Sequence, residues 1–470
     1  MRHRVAVVLA AGLGTRMKSK TPKALHKLAG IPMLQHVINA LNEAEFQEII
    51  LVLGYQGELV EAELGTGYEV VYQHEQLGTG HALLQALPVL QKYADGDCLV
   101  VCGDTPCIRS ETLKALAEKH TTTQALVSVL TAEIADPTGY GRIIKGTKGI
   151  EKIVEEKDAT LEEKAIREIN TGTYCFNIKS LRACLDKLTP ANAQGEYYLT
   201  DIIKYNVEAG ERVETLLLDD PFEALGINNR VQLAQAESIW RTRINEQHML
   251  EGITIINPEN TSIDVHVSIG KDTILLPGVI LEGKTSLGEN CVIGPNTRIV
   301  DSAIEDNVNI SYSYILEAEI ASGCTVGPFS YLRPGTVLAK NVKVGDFVEV
   351  KKSFVGEGSK IPHLTYVGDS VLGKGVNIGA GTITCNYDGV NKHPTYIGDG
   401  AFVGSNSNLV APITIGAGAY IGAGSTVTKD IPEKALAIAR GKQQNFENWH
   451  TRVQKNPAQD NDREDEDVEL

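Results

Sequence analysis

Apolar positions along the chain follow two different periods. Up to about residue 230, short apolar runs such as VAVVLAAG, EIILVLG, DCLVVCGD and ALVSVL alternate with helix-like stretches such as HVINALNEA and SETLKALAEKH. Runs of that length, bounded by turn residues, predict buried strands. Their alternation with helical segments predicts a mainly parallel sheet flanked by helices, with ligands at the carboxyl ends of the strands. The stretch 229–250, NRVQLAQAESIWRTRINEQHML, lacks Gly and Pro and carries apolar residues at helical spacing, which predicts a connecting helix.

Beyond it the step becomes six. Ile263, Ile269, Leu275, Leu281, Leu287, Ile293 and Ile299 stand six apart without a miss. After a break, Val326, Leu332, Leu338, Val344 and Val350 resume the step, and so do Ile397, Val403, Leu409, Ile415, Ile421 and Val427. A six-residue repeat predicts a parallel β-helix, whose short stacked strands bury a column of aliphatic side chains. The register slips in CNYDGVNKHP, residues 385–394, which predicts a loop thrown out of the solenoid. Its polar and aromatic content suits an active-site element, and a tolerated surface insertion fits the same pattern.

A chain of 470 residues is too long for one ordinary core, which agrees with two differently patterned halves. Its 42% hydrophobic and 22% charged content describes a globular protein, with no apolar run near the ~20 residues that span a bilayer. The basic start and short apolar run of MRHRVAVVLAAG resemble a secretory leader, but they flow directly into a patterned Gly loop and read as a first strand. A net charge of −16 opposes nucleic acid as the main partner. Part of that charge sits in 460–470, with seven acids and one Arg, read as a solvated, disordered tail. The eight cysteines show neither CxxC nor CxxH spacing, which suits reduced thiols in a cytosolic protein.

Candidate chemistry begins at VVLAAGLGTRMKSKTPKALH, residues 7–26. This is neither GxGxxG nor GxxxxGK[ST]. Gly12 and Gly14 leave room for backbone N–H groups to approach a phosphate or a base, and Arg16 and Lys23 add fixed positive charge. With a second Gly-rich segment, EQLGTGHA, the pattern points to a nucleotide site. Asp104 ends a strand-like run, where a metal ligand belongs, although such a residue also caps elements. Glu155 in its charged stretch reads by default as solvated, and Asn228 before Asn229 as a turn residue.

LAAGLGTRM…TPKALHKLAG, EQLGTGHA, GDTP, DPTGYGRI, IVEEKDA, EINTG, NAQGEYYLTD and NNR follow one another in the order seen in sugar-nucleotide pyrophosphorylases. With LRPG, HLTYVGD and NIGAGTITCNYDG behind them, the chain resembles the bacterial bifunctional N-acetylglucosamine-1-phosphate uridylyltransferase/glucosamine-1-phosphate N-acetyltransferases over all but its acidic tail. The resemblance implies an α/β fold: a Rossmann-like nucleotidyltransferase domain over 1–228, a linker helix over 229–250, a left-handed parallel β-helix of hexapeptide repeats over 251–437, and a C-terminal arm and acidic tail over 438–470. It implies that Leu9, Ala10, Ala11, Gly12, Cys102 and Gly103 shape the UTP site. Arg16 and Lys23 would offset phosphate charge, and Gln73 with Gly78 and Thr79 would read the uracil edge. Gly141, Glu155 and Asn170 would contact the sugar, and Asp104 and Asn228 would hold Mg²⁺.

For the second reaction the same resemblance implies His363 as the base, with Glu349 orienting its ring. Arg333, Lys351, Tyr366, Asn377, Asn386 and Tyr387 would bind the sugar phosphate. Ala380, Asn386, Tyr387, Ser405, Ala423 and Arg440 would line the acetyl-CoA site. The implied setting is a cytoplasmic homotrimer acting on small molecules, with neither nucleic acid nor membrane as partner. Three residues depart from the family pattern: Leu13 where Lys is common, Cys102 where Tyr is frequent, and Pro362 where a small residue precedes the His. The competing expectation is a monofunctional sugar-phosphate nucleotidylyltransferase whose β-helix is structural or regulatory.

Overall fold

A computed structural model describes residues 4–147 and 149–454. The expected acidic tail lies outside the described residues. The chain divides into two compact units, Met1–Leu316 and Glu317–Leu470.

In the first unit the strand Arg4–Ala10 lies between Glu48–Leu53 and Asp97–Cys102, parallel to both. Glu69–Tyr72 extends the sheet in parallel on one side. On the other, Glu168–Asn177 runs antiparallel between Asp97–Cys102 and Val127–Glu133, and Val213–Leu217 closes that edge in parallel. The apolar runs are continuous because both faces are covered. Val5, Val7, Ile50, Val52 and Val100 enter one core, while Ala6, Val8, Ile49, Leu51, Leu99 and Val101 enter the other. Successive side chains of a strand point to opposite faces, so each run feeds both cores.

Helix Arg230–Leu250 follows, as its spacing predicted. Asn229 caps it, accepting from the Gln232 backbone N–H at 2.9 Å. Near its other end Asn245 Nδ2 donates to the carbonyls of Pro258 and Thr261 at 2.8 and 3.0 Å, fixing the helix to the first coil of the repeats.

The repeats form a left-handed parallel β-helix of two- to four-residue strands in three columns. In the first unit Ile274–Leu275, Ile280–Glu282 and Ser286–Leu287 each pair in parallel with the strand one coil on. In the second unit Lys343–Asp346, Glu349–Lys351 and Phe354–Val355 do the same. The aliphatic column predicted by the six-residue step is buried except at Ile269, which is half-buried, and it also continues through the apparent breaks. There the step shortens to five, as from Ile299 to Ile304, Ile310 to Ile315, Val350 to Val355 and Val367 to Leu372. Each shortened step contains a non-Gly residue in the left-handed region: Asp301, Tyr312, Lys352 or Asp369, with φ of 45°, 44°, 43° and 49°. Tight corners, not an interrupted fold, break the sequence pattern.

The slip at 385–394 has a second cause. Buried Thr384 stands where the column would carry an aliphatic residue, and its hydroxyl accepts the Gly368 N–H at 2.8 Å. The chain then leaves the stack as a hairpin closed by a Tyr387–Lys392 bridge and returns at Thr395–Ile397. The expected loop is present. The boundary between compact units falls within the repeats, where each coil meets only its neighbours.

Leu372 is fully buried in the second unit, whereas Lys374 is exposed. Leu372→Ala is expected to destabilise the protein by about 2–5 kcal/mol and Lys374→Ala by less than about 0.5 kcal/mol, read as midpoint shifts in denaturant. Equal shifts would show that the column is not the packed core.

Candidate active sites

The first site is built at the carboxyl ends of Arg4–Ala10 and Asp97–Cys102, where parallel strands deliver their loops together. The Gly103 N–H donates to the Leu9 carbonyl at 2.9 Å, joining the two loops at their bases. Gly12 and Gly14 then serve different ends. At Gly14, with φ 62°, an added Cβ would press on the Lys23 side chain, so this Gly lets the Lys23 stem pass. At Gly12 an added Cβ would meet nothing within 4 Å. Its face is open to a cleft of about 430 Å³, lined also by Leu9, Ala11, Arg16, Gln73, Thr79 and Cys102.

Four side chains converge at one end of this cleft. Lys23 Nζ lies 2.5 Å from Asp104 Oδ2 and 2.8 Å from Asn228 Oδ1, which also accepts from Arg16 Nη2 at 2.8 Å. The loop carrying Asn228 is pinned there, since the Ile227 N–H donates to the Asp104 carbonyl at 2.8 Å. Asp104 does not cap the next helix, because Arg109 occupies that position. Asn228 is more than a turn residue, since its side chain receives two cationic donors. Gln73 is buried, with Nε2 3.1 Å from the Gly78 carbonyl and 3.0 Å from His81 Nδ1, so its amide is held at the cleft wall. Gly78 and Gly80 press against the Glu196–Tyr197 backbone, with Gly80 N–H donating to the Tyr197 carbonyl at 2.8 Å.

Ala10 and Gly103 line a smaller hollow beside the cleft, with Leu9, Gly12, Lys23 and Asp104. Gly141, Glu155 and Asn170 form a separate group. The Asn170 N–H donates to the Gly141 carbonyl at 2.9 Å, and a Cβ at Gly141 would lie 3.5 Å from Glu155 Oε1. Glu155 is not simply solvated: it is partly buried, and Thr200 Oγ1 donates to it at 3.1 Å. The group reaches the strand end through Gly172, whose N–H donates to Asn170 Oδ1 and whose carbonyl lies 3.6 Å from Cys102 Sγ. Burial pushes the Cys102 thiol up to about 12, so it stays a neutral donor.

The second site lies in the second unit. Stacking places residues one coil apart side by side. Arg333 Nη1 donates to Glu349 Oε1 at 2.7 Å, with Tyr331 and Tyr366 in the register positions on either side of Glu349. Within this chain Glu349 is bonded to Arg333, and the carboxylate on the His363 ring is a different one. His363 belongs to a different column, and its Nδ1 lies 2.5 Å from Asp346 Oδ1 on the preceding coil. Asp369 is a second residue the sequence reading missed. It accepts from Asn386 Nδ2 at 2.6 Å and faces Lys351 Nζ at 3.5 Å. Asn386 Nδ2 also lies 3.4 Å from the Tyr366 hydroxyl. Lys392, on the hairpin, is a third. Contact with the Lys351 ammonium pushes its own below the ordinary lysine value. Crowded cations of this kind favour an anionic ligand.

Tyr387 is exposed, its hydroxyl donating to the Gly389 carbonyl at 2.6 Å. Asn377 stands opposite Lys360 and Phe402 in the column that carries His363. Ala380, Ser405, Ala423 and Arg440 fall into one corner column. Asn406 N–H donates to the Ala380 carbonyl at 2.7 Å, Gly424 N–H to that of Ser405 at 2.8 Å, and Arg440 Nη1 to that of Ala423 at 2.5 Å. Gly379 and Gly404 precede this column, and each lies against the next coil's backbone with no room for a Cβ.

Comparison with known proteins adds to this geometry. Residues 6–165 match a model described as the MobA-like NTP transferase domain, 259–355 a GMPPB C-terminal domain, and 394–429 bacterial transferase hexapeptide repeats. A relative from Heliobacterium modesticaldum, named Bifunctional protein GlmU, is 54% identical over 456 residues, covering 97% of this chain and 99% of the relative. One from Carboxydothermus hydrogenoformans with the same name is 54% identical over 444 residues, covering 94% and 99%. A solved structure of UDP-glucose pyrophosphorylase complexed with UDP-glucose is 18% identical at a TM-score of 0.43, covering 52% of this chain and 100% of that one.

Burial pushes the Glu155 carboxyl above its ordinary range, an effect the Thr200 hydrogen bond opposes. With its folded value above its unfolded one, the stability it contributes is complete below the unfolded value and is lost as pH rises through the folded value. Glu155→Gln removes that loss. The apparent Tm of the variant is expected to gain on that of the parent as pH rises from about 4 towards neutrality. A constant offset across that range would sink the assignment.

Proposed function

The chain belongs to the family of bifunctional GlmU proteins, and from that membership we propose how its two reactions are distributed along it. It is a glucosamine-1-phosphate N-acetyltransferase and a uridylyltransferase that moves UMP from UTP to N-acetylglucosamine-1-phosphate, together making UDP-N-acetylglucosamine for peptidoglycan. It uses a divalent metal, with UTP and acetyl-CoA as substrates. We assign uridylyl transfer to 1–228, acetyl transfer to the β-helix over 251–437, and the helix 229–250 to joining them.

In uridylyl transfer a sugar-phosphate oxygen attacks the α-phosphorus of UTP and pyrophosphate leaves, so one anion must approach another. Charge neutralisation and alignment carry such a reaction. The observation behind the assignment is the convergence of Asp104 Oδ2 and Asn228 Oδ1 on one cationic nitrogen beside the open face of Gly12. Two hard oxygens that already share a cation suit Mg²⁺, which takes one or two protein oxygens and completes its shell with phosphates and water. Asp104 and Asn228 would hold that ion, which would supply positive charge to offset that of the phosphates. Arg16 and Lys23 meet the phosphates from the same end, the backbone at Gly12 admits them closely, and Gln73 with Gly78 and Thr79 holds the base. Gly141, Glu155 and Asn170 take the sugar.

In acetyl transfer the amine of glucosamine-1-phosphate attacks the thioester carbonyl. With Nδ1 directed at Asp346, His363 offers Nε2 to the amine proton. Arg333, Lys351 and Lys392 surround a phosphate, with Tyr366, Asn377, Asn386 and Tyr387 about the sugar. The corner column of Ala380, Ser405, Ala423 and Arg440 runs along acetyl-CoA. We infer a homotrimer, supported by the exposed apolar side chains Leu364, Tyr387, Val390, Tyr396 and Tyr420 on the second unit. Among the described residues no helix is long and apolar enough to cross a membrane. We assign the protein to the cytoplasm, a reducing compartment that suits its free cysteines.

Asp104→Ala is expected to reduce uridylyl transfer by roughly a thousandfold or more and to leave acetylation near normal. Residual uridylyl transfer within tenfold of the parent rejects the role. His363→Ala is expected to do the reverse, lowering acetyl transfer by about 10²- to 10⁴-fold while N-acetylglucosamine-1-phosphate is still uridylylated. Normal acetylation in that variant would place the base elsewhere. Product masses from glucosamine-1-phosphate, acetyl-CoA, UTP and Mg²⁺, with each substrate omitted in turn, separate the two reactions.

A further inference from the structure

The coil corner that carries His363 is built to hold one carboxylate against its ring. Strands Lys343–Asp346 and Lys360–His363 are parallel neighbours, and their register sets Asp346 opposite His363. Both strands end in a forced turn. The next residues, Phe347 and Leu364, are non-Gly residues with φ of 56° and 49°, a conformation that persists only where surrounding structure imposes it. The Leu364 N–H donates to the Asp346 carbonyl at 3.0 Å, tying one corner to the other. One residue earlier the two backbones come close together. A Cβ at Gly345 would collide with the Pro362 carbonyl, so the approach depends on a Gly facing a Pro whose own φ is fixed.

The result is the 2.5 Å contact between Asp346 Oδ1 and His363 Nδ1. The carboxyl is held below its ordinary range, first by that hydrogen bond. Glu349 is bonded to Arg333, which leaves Asp346 as the carboxylate that meets the ring.

We propose that Asp346 is the positioning residue of the acetyl-transfer base: it accepts from His363 Nδ1–H, fixes that tautomer and ring plane, and stabilises the imidazolium formed when Nε2 takes the amine proton. The role rests on the reading of His363 as the base. In the step it supports, the amine nitrogen bonds to the thioester carbonyl carbon and its proton passes to Nε2. The carbon–sulfur bond breaks with its electron pair on sulfur, and Nε2 returns the proton to give the free thiol. A carboxylate on Nδ1 lowers the energy of the charged ring during the interval when it carries both protons.

The test uses the full-length protein with glucosamine-1-phosphate and acetyl-CoA, comparing Asp346→Ala, Asp346→Glu and His363→Ala with the parent. Uridylyl transfer and melting temperature serve as folding checks. Asp346→Ala is expected to lower kcat by at least about 10-fold and at most about 10⁴-fold, the range over which a carboxylate that orients a catalytic imidazole acts. KM for both substrates should change by less than about threefold, because the positioning is used in the transition state. Asp346→Glu should restore part of kcat. In ¹⁵N spectra the His363 ring should carry its proton on Nδ1 in the parent and as a tautomer mixture in Asp346→Ala.

If Asp346→Ala keeps kcat within about twofold while His363→Ala is inactive, the proposal falls and the base assignment stands. An unchanged ring tautomer in Asp346→Ala overturns it too. Normal acetylation by His363→Ala removes the base assignment itself, whatever Asp346 does. If Asp346→Ala fails the folding checks, the decision passes to Asp346→Asn, which keeps the shape and removes the charge: parent kcat with a parent-like ring tautomer rejects the proposal, and a tenfold or larger fall in kcat at unchanged KM upholds it.

Discussion

Parallel pairing of strands is the constraint on which both halves of this protein depend. Parallel neighbours send their chains the same way, so whatever follows one strand emerges beside whatever follows the next. In the sheet this brings the loop after Ala10 against the loop after Cys102, and Lys23 against Asp104. In the solenoid it sets each residue beside the one a coil earlier, so that Asp346 faces His363 and Arg333 reaches Glu349. Neither site has a private scaffold. Each uses the spacing that the backbone ladder already enforces, and each also needs room, supplied by Gly14 at Lys23 and by Gly345 at Pro362.

The architecture was legible because burial imposes a period. Two-sided burial made the sheet strands unbroken apolar runs, and a single inward face made the solenoid a six-residue beat. What was not legible came from exceptions to the beat. Lys352 and Asp369 turn corners with one residue fewer, and Thr384 places a hydroxyl in the aliphatic column. A search for inward aliphatics passes over such positions. The partner of His363 was missed for a related reason. Glu349 was the carboxylate that the family pattern suggested, yet it faces another column, and a difference of column cannot be read from proximity in sequence. The signal that would have found Asp346, and Asp369 beside Lys351 and Asn386, is an offset of 17 or 18 residues, one turn of the coil.

The three departures from the family pattern have physical outcomes. Leu13 lines the nucleotide cleft but is 53% exposed, so the place of a commoner lysine is at the rim. The Cys102 carbonyl accepts from Thr105 Oγ1 at 2.8 Å, while its thiol turns to Gly172. Pro362 sits inside the strand that ends at His363, where its carbonyl fills the space left by Gly345. Its ring fixes the backbone φ one residue before His363.

The hairpin at 386–393 carries a consequence for how such an enzyme changes over evolutionary time. Asn377 pairs with Phe402, 25 positions on, whereas Lys360 pairs with Asn377 after 17 and Phe402 with Tyr420 after 18. The extra length leaves the ladder at one corner and rejoins it in register. Lengthening a loop costs little, about 0.6 kcal/mol for each doubling. Heritable variation can therefore accumulate at a single corner while the stacked coils on either side keep their register. Loop and scaffold are free to diverge at different rates within one coil.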